Sequence, residues 1–218
     1  MSAPDPLRRR IYITDLSKKD LELAYALVFL GEEQSSAENH IWGAHIKEKY
    51  DQQTARRIYT KMLISHVESV LFELRSWVLE YADSNPEEFS QAELVLLAEK
   101  TYDISDKGEA EERPYLGQIG KNLKFAFRCF AKAFDLKFKP DYGGDGWQAF
   151  RQAVKIRNRI THPKTPASMS IKDDELAAMY KALCWFLDTY HNLLGEFKGS
   201  LNPALMKRLI EYQSCDSP

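Results

Sequence analysis

A run of basic residues ends in a histidine between residues 151 and 165, where the chain reads RQAVKIRNRITHPKT. The segment contains no acidic residue, although the formal net charge of the whole chain is −2. Such a local cluster of positive charge can attract a polyanion even when the protein as a whole does not. A histidine beside it can transfer protons near neutral pH, so these residue types suit a phosphate-handling site. The cations are Arg151, Lys155, Arg157, Arg159 and Lys164.

Helical spacing relates the polar residues at the end of this run. Asn158 and His162 are four residues apart, so they lie on one helical face about one turn from each other. Arg157 is five residues from His162, about 140° around an ideal helix, which separates the two side chains. Pro163 disfavours helical geometry at His162, so the imidazole is free to leave the last turn and approach the arginine.

Two interpretations of these residues remain open on spacing alone. In the first, Arg157, Asn158 and His162 bind and act on a phosphate. In the second, they cap the carbonyl groups of a helix end or hold a dimer together. A second basic stripe, at Lys121, Lys124, Arg128 and Lys132, is more typical of a solvated helix face.

Composition indicates a helical globular protein. The 218 residues are 44% hydrophobic and 28% charged, which is ordinary for a folded domain. The ten glycines and nine prolines are few for this length and fall between long periodic segments. Three cysteines without CxxC spacing suggest reduced thiols, and the start of the chain lacks the apolar stretch of a signal peptide. We therefore expect a cytoplasmic protein.

Apolar residues at helical spacing predict an all-α fold, a helical bundle with long core helices and an N-terminal helical extension. A short extended piece is expected at 11–14, and a polar loop at 103–117. The predicted helices cover about 17–34, 40–82, 90–103, 118–137, a motif helix opening at Trp147, 171–197 and a short C-terminal segment. The expected divisions are 1–39 as the N-terminal extension, 40–197 as the bundle, and 198–218 as a short helix and tail.

The motif Arg157-Asn158-x-x-x-His162, near the end of a helix in an all-α chain, resembles the R-x(4–6)-H motif of HEPN domains. A polar residue often follows the arginine in that family. The order of segments is similar too, since a long helix precedes the motif helix and an aromatic-rich long helix follows it. The resemblance covers about 40–197 and leaves out residues 1–39 and the loop at 103–117.

The resemblance implies a metal-independent endoribonuclease, often in toxin–antitoxin or phage-defence systems, whose two motifs face each other across a homodimer interface. His162 would exchange the proton of the ribose 2′-OH or of the leaving 5′-oxygen. Arg157 would stabilise the charge on the phosphoryl oxygens, and Asn158 would orient the phosphate or His162. Cleavage would leave 2′,3′-cyclic phosphate ends and spare DNA, which lacks the nucleophile. The expected RNA-binding residues are Arg151, Lys155, Arg159 and Lys164.

The resemblance also leaves a non-catalytic alternative, because many members of the family are interaction modules. Such a module would bind a protein partner, such as an antitoxin or another regulatory protein, or a nucleotide. The sequence has no histidine–carboxylate set with metal-ligand spacing and no Gly-rich phosphate loop, so neither a metal nor a cofactor is expected.

Overall fold

The computed structural model describes residues 6–29, 51–115 and 117–200, with side chains in the first range from Asp15 onward except at positions 27 and 29. Over these residues the chain is all-α, as predicted, with a single small β-hairpin. The helices are α1 (Pro6–Phe29), α2 (Gln52–Ser84), α3 (Gln91–Leu97), α4 (Ile119–Ala133), α5 (Asp145–Thr161) and α6 (Asp173–Ser200). The strands are β1 (Lys100–Ile104) and β2 (Ala110–Pro114).

Among the described helices, none is both long enough and apolar enough to cross a membrane.

The described residues fall into two compact units. The first takes the described parts of Met1–Leu74 together with Gly117–Leu123 and Tyr142–Phe186. The second takes those of Arg75–Leu116, Lys124–Asp141 and Leu187–Pro218. The basic run that ends in His162 lies within the first unit. The expected division at 39/40 falls outside the described residues, as does the short helix expected near the C-terminus.

In the first unit, α1 packs on α2 through small and aromatic side chains. Leu21 and Ala24 are buried, and the ring of Tyr25 lies 6.2 Å from that of Tyr59. The extended piece expected at 11–14 is helical instead. Pro6 is the first residue of α1, where its missing N–H costs no hydrogen bond, so the helix begins well before the β-branched residues of that stretch.

A β-hairpin in the second unit replaces the loop expected at 103–117. α3 ends at Leu97, earlier than predicted, because Glu99 takes a left-handed conformation (φ 56°) and β1 begins at the next residue. The strands pair antiparallel with Tyr102 opposite Glu112. Gly108 supplies the positive φ of 76° that the connecting turn requires, and its N–H donates to the Ser105 carbonyl. Asp-Lys-Gly was a turn signal for this hairpin, but only β1 carries β-forming residues, whereas β2 reads AEERP.

Aromatic rings form the core of the second unit. Phe134 lies 4.8 Å from Phe130 and 4.6 Å from Phe197, measured between ring centroids, and Tyr81 and Trp77 contact the same cluster. α4 ends at Ala133 rather than at the predicted 137, since Asp135 has a positive φ of 49°. These rings are packing residues, as their helical spacing indicated.

Candidate functional site

Packing of an aromatic cluster sets the orientation of the motif helix α5. Trp147 and Phe150 of α5 are buried, and their rings lie 5.3 and 5.5 Å from that of Trp185 on α6. A Cβ atom at Gly146 would come within 2.5 Å of the Trp185 side chain, so only glycine permits this approach. Beyond the first turn, Ala153, Ile156 and Ile160 form the buried side of α5, and the side opposite to them faces solvent.

Four polar side chains share that solvent-facing side of α5. Their spacings of four, three and four residues place them within about 60° on an ideal helix. All four are exposed, whereas Ala153, Ile156 and Ile160 form the buried side. We call this set the α5 face; it consists of Arg151, Lys155, Asn158 and His162.

Few contacts occupy the side chains of the α5 face. Arg151 donates to the neutral Gln148 amide at 3.2 Å, which leaves its charge uncompensated. Among the described residues, no side-chain hydrogen bond or ion pair is formed by Lys155, Asn158 or His162. Asp145 is the one acidic residue of α5, and its carboxylate pairs with Lys181. The face is therefore positively charged and open to a ligand.

His162 is the residue that ends α5, as the following proline predicts. Its φ of −122° and ψ of 63° are not helical, but its N–H still donates to the Asn158 carbonyl at 3.0 Å. This hydrogen bond holds the backbone of His162 one turn beyond Asn158, and the side chains of both residues are exposed.

Arg157 lies on a different side of α5. Its guanidinium donates to the Glu68 carboxylate of α2 at 2.8 Å, and its side chain is only 24% exposed. Nε of Arg157 is buried and has no hydrogen-bond partner among the described residues. Asn158 and His162 are thus linked by a backbone hydrogen bond, whereas the side-chain hydrogen bond of Arg157 is with Glu68 rather than with either of them.

Arg159 and Lys164, both expected to bind RNA, have different environments. The Arg159 guanidinium donates to the Glu175 carboxylate at 2.9 Å and to the Ser170 carbonyl at 3.0 Å. It thus links α5 to the start of α6, which is a structural contact. Lys164 is exposed in the loop after His162 and is available to a ligand.

The loop after the motif is fastened to the start of α2 by residues that sequence reasoning did not single out. Gln53 donates to the Ile171 carbonyl and accepts from the Ile171 N–H. The buried Arg56 donates to the same carbonyl at 2.8 Å and to Asp173 at 2.6 Å. These partners are more than 100 residues apart in the chain, so no local pattern could have revealed them. They limit the movement of the segment that carries Lys164.

Comparisons with known proteins give no family for this chain. No family model, curated protein or solved structure matches it. Within the described ranges, no group of three or more His, Cys, Asp and Glu side chains could hold a metal ion.

The second basic stripe has a structural role in the second unit. Arg128 and Lys132 both contact the Glu93 carboxylate, at 2.9 and 3.5 Å. Arg128 also lies over the ring of Phe125, and Lys132 over that of Phe89. Two of the four cations of the stripe thus share one carboxylate within the chain.

His66 is a buried histidine of the first unit, away from the α5 face. Its Nδ1 lies 3.0 Å from the Ser17 hydroxyl of α1, and the edge of its ring meets Phe186. Burial, and to a smaller extent the charge of Lys18, lowers its pKa to about 4. The neutral imidazole therefore belongs to the packing between α1 and α2.

Acid should destabilise the protein through His66. The imidazole of His66 has a pKa near the ordinary 6.5 in the unfolded chain and about 4 in the folded chain. Because the unfolded state binds the proton more readily, the stability that the neutral imidazole contributes is lost as the pH falls from about 6.5 towards 4. Between pH 7 and pH 5 the loss due to this one group should be about 2 kcal/mol. Urea unfolding at both pH values should show a smaller loss in His66→Gln than in the wild type. The control is the same substitution at the exposed His191, which should lose as much stability as the wild type. Equal losses of stability in the wild type and in His66→Gln would contradict this account.

Proposed function

We propose that the protein is a metal-independent endoribonuclease that binds RNA on the α5 face and uses His162 for proton transfer. The observation that carries the proposal is the shared exposed face of Arg151, Lys155, Asn158 and His162 at the end of α5. Cations there contact backbone phosphates, which give affinity without sequence specificity. The resemblance of Arg157-Asn158-x-x-x-His162 to the HEPN motif supports the same reaction.

The reaction proposed is attack of the ribose 2′-oxygen on the adjacent phosphorus. His162 accepts the proton of the 2′-OH while the new P–O bond forms, and the bond to the 5′-oxygen breaks. The 5′-oxygen leaves with a proton, so the products end in a 2′,3′-cyclic phosphate and a 5′-hydroxyl. Arg157 and Asn158 donate hydrogen bonds to the charged phosphoryl oxygens. DNA has no 2′-OH and is not a substrate.

A homodimer completes this mechanism. One imidazole cannot be base for the 2′-OH and acid for the 5′-oxygen at the same moment, whereas two facing copies supply one group for each role. The α5 face is positively charged, so two such faces approach each other at lower cost when an RNA phosphate lies between them. A toxin or phage-defence role, with an antitoxin or another regulatory protein as partner, is part of the same proposal.

The test is cleavage of a labelled RNA by the purified chain in the presence of EDTA. We expect cleavage of RNA but not of DNA of the same sequence, with cyclic phosphate ends detected by mass spectrometry. The active species should sediment with twice the mass of the chain. The proposed metal-independent endoribonuclease function would be refuted by activity that requires a divalent metal, or by a failure to cleave several unrelated RNAs.

A second candidate function is an interaction module without turnover. The observation that favours it is the ion pair of Arg157 with Glu68, because the arginine then contributes to the packing of α5 on α2. Such a module would bind a protein partner or a nucleotide and leave it intact. The same assay separates the two functions, since the module leaves every RNA uncleaved.

A further inference from the structure

The ion pair between Arg157 and Glu68 differs from the ion pair that Arg159 of the same helix forms with Glu175. Arg159 pairs with Glu175, whose side chain is only 15% exposed, and also donates to a backbone carbonyl. Glu68 is 54% exposed and is the one side chain to which Arg157 donates among the described residues. Arg157 thus forms a single hydrogen bond to a carboxylate that is exposed to solvent, and such an ion pair is weaker than the more buried pair of Arg159 with Glu175.

We infer that Glu68 is an intrachain competitor that occupies the anion-binding position of Arg157 until an RNA phosphate displaces it. A carboxylate and a phosphate present similar charged oxygens to a guanidinium, so one can replace the other. The inference rests on the proposed RNA-binding function, and it adds a regulating residue to the same site. Glu68 is a positioning residue here, because it acts through Arg157.

Two features of Arg157 support the exchange. Its Nε, like that of Arg159, is buried without a partner among the described residues, so Glu68 alone does not satisfy the guanidinium. Glu68 accepts from only one nitrogen of the fork, whereas a phosphate that replaces it can accept from two. The side chain of Glu68 can turn into solvent once it is released, because more than half of it is already exposed.

The size of the effect follows from the strength of a solvated ion pair. Half-exposed pairs contribute modestly, so removing the competing charge should tighten phosphate binding by roughly three- to fivefold. Glutamine has the shape of glutamate and keeps helix propensity, so Glu68→Gln should leave α2 intact. The gain in affinity should depend on Arg157 and should therefore be absent when Glu68→Gln is combined with Arg157→Ala.

The experiment measures binding of a 2′-O-methyl RNA oligonucleotide, which cannot be cleaved through its 2′-oxygen, by fluorescence anisotropy. The full chain is compared with Glu68→Gln, Arg157→Ala and the double variant, each checked for helix content by circular dichroism. Glu175→Gln is the matched control, since it removes the carboxylate that pairs with Arg159 of the same helix. We expect a three- to fivefold lower Kd for Glu68→Gln alone.

Each alternative result has a defined meaning. Equal tightening by Glu68→Gln and Glu175→Gln would reveal a general charge effect and overturn the inference. Tightening that persists without Arg157 would overturn it as well, as would an unchanged Kd for Glu68→Gln or no binding by any variant. If Glu68→Gln tightens binding through Arg157 but unmodified RNA is never cleaved, the inference stands and the proposed enzyme fails. If RNA is cleaved and Glu68→Gln binds as the wild type does, only the inference fails.

Discussion

Replacing His162 with alanine should reduce RNA cleavage by roughly 10²- to 10⁴-fold, because a proton-transfer group typically contributes a factor of that size. The imidazole is exposed at the end of α5 and forms no side-chain hydrogen bond or ion pair with the described residues. Its truncation should therefore change the free energy of unfolding by less than about 0.5 kcal/mol. Rates measured in EDTA, with thermal unfolding of the same samples, check both parts of the prediction.

Arg157→Ala is measured in the same cleavage and unfolding assays, and unlike His162→Ala it also removes an ion pair that stabilises the fold. Cleavage should fall by roughly 10²- to 10³-fold, as is typical when a donor to a charged transition state is lost. Loss of the half-exposed pair with Glu68 should cost no more than about 1 kcal/mol.

His191→Ala and Lys121→Ala are the controls for these two variants, since both side chains are exposed on other helices. If the wild type cleaves no RNA and His162→Ala loses dimerisation or thermal stability, His162 is a structural interface residue and the interaction module is favoured.

Phe150→Ala should destabilise the protein by about 3–5 kcal/mol, the usual range for removing a buried aromatic ring. The ring is fully buried and packs against Trp147 and Trp185, so its loss leaves a cavity beneath the motif helix. A loss of that size is a large part of the stability of an ordinary domain. Urea unfolding followed by circular dichroism gives the measurement.

The matched control for Phe150→Ala is Gln152→Ala, two residues further along α5 and exposed. It should change stability by less than about 0.5 kcal/mol. Phe150→Leu fills part of the cavity and should fall between the two, which keeps the test informative if the alanine variant does not fold. Equal stabilities for Phe150→Ala and Gln152→Ala would mean that α5 does not depend on this cluster.

Periodicity determined most of the fold. The apolar spacing predicted the long helices that became α2 and α6, because a buried stripe must recur every three or four residues whatever it packs against. The glycines before α5 and the proline after His162 correctly predicted where that helix begins and ends. The hairpin of β1 and β2 was missed, since five-residue strands that are almost entirely exposed carry little alternation of apolar and polar residues.

The sequence by itself predicted that Asn158 and His162 lie about one turn apart on one face, because the helical period fixes the directions of residues four apart. Only the tertiary structure decided which cations of the segment remain open to a ligand. Arg157 is paired with an acid 89 positions away, and Arg159 with one 16 positions away in the next helix. Pairing across that distance depends on how α2, α5 and α6 pack, which a local pattern of charges does not encode.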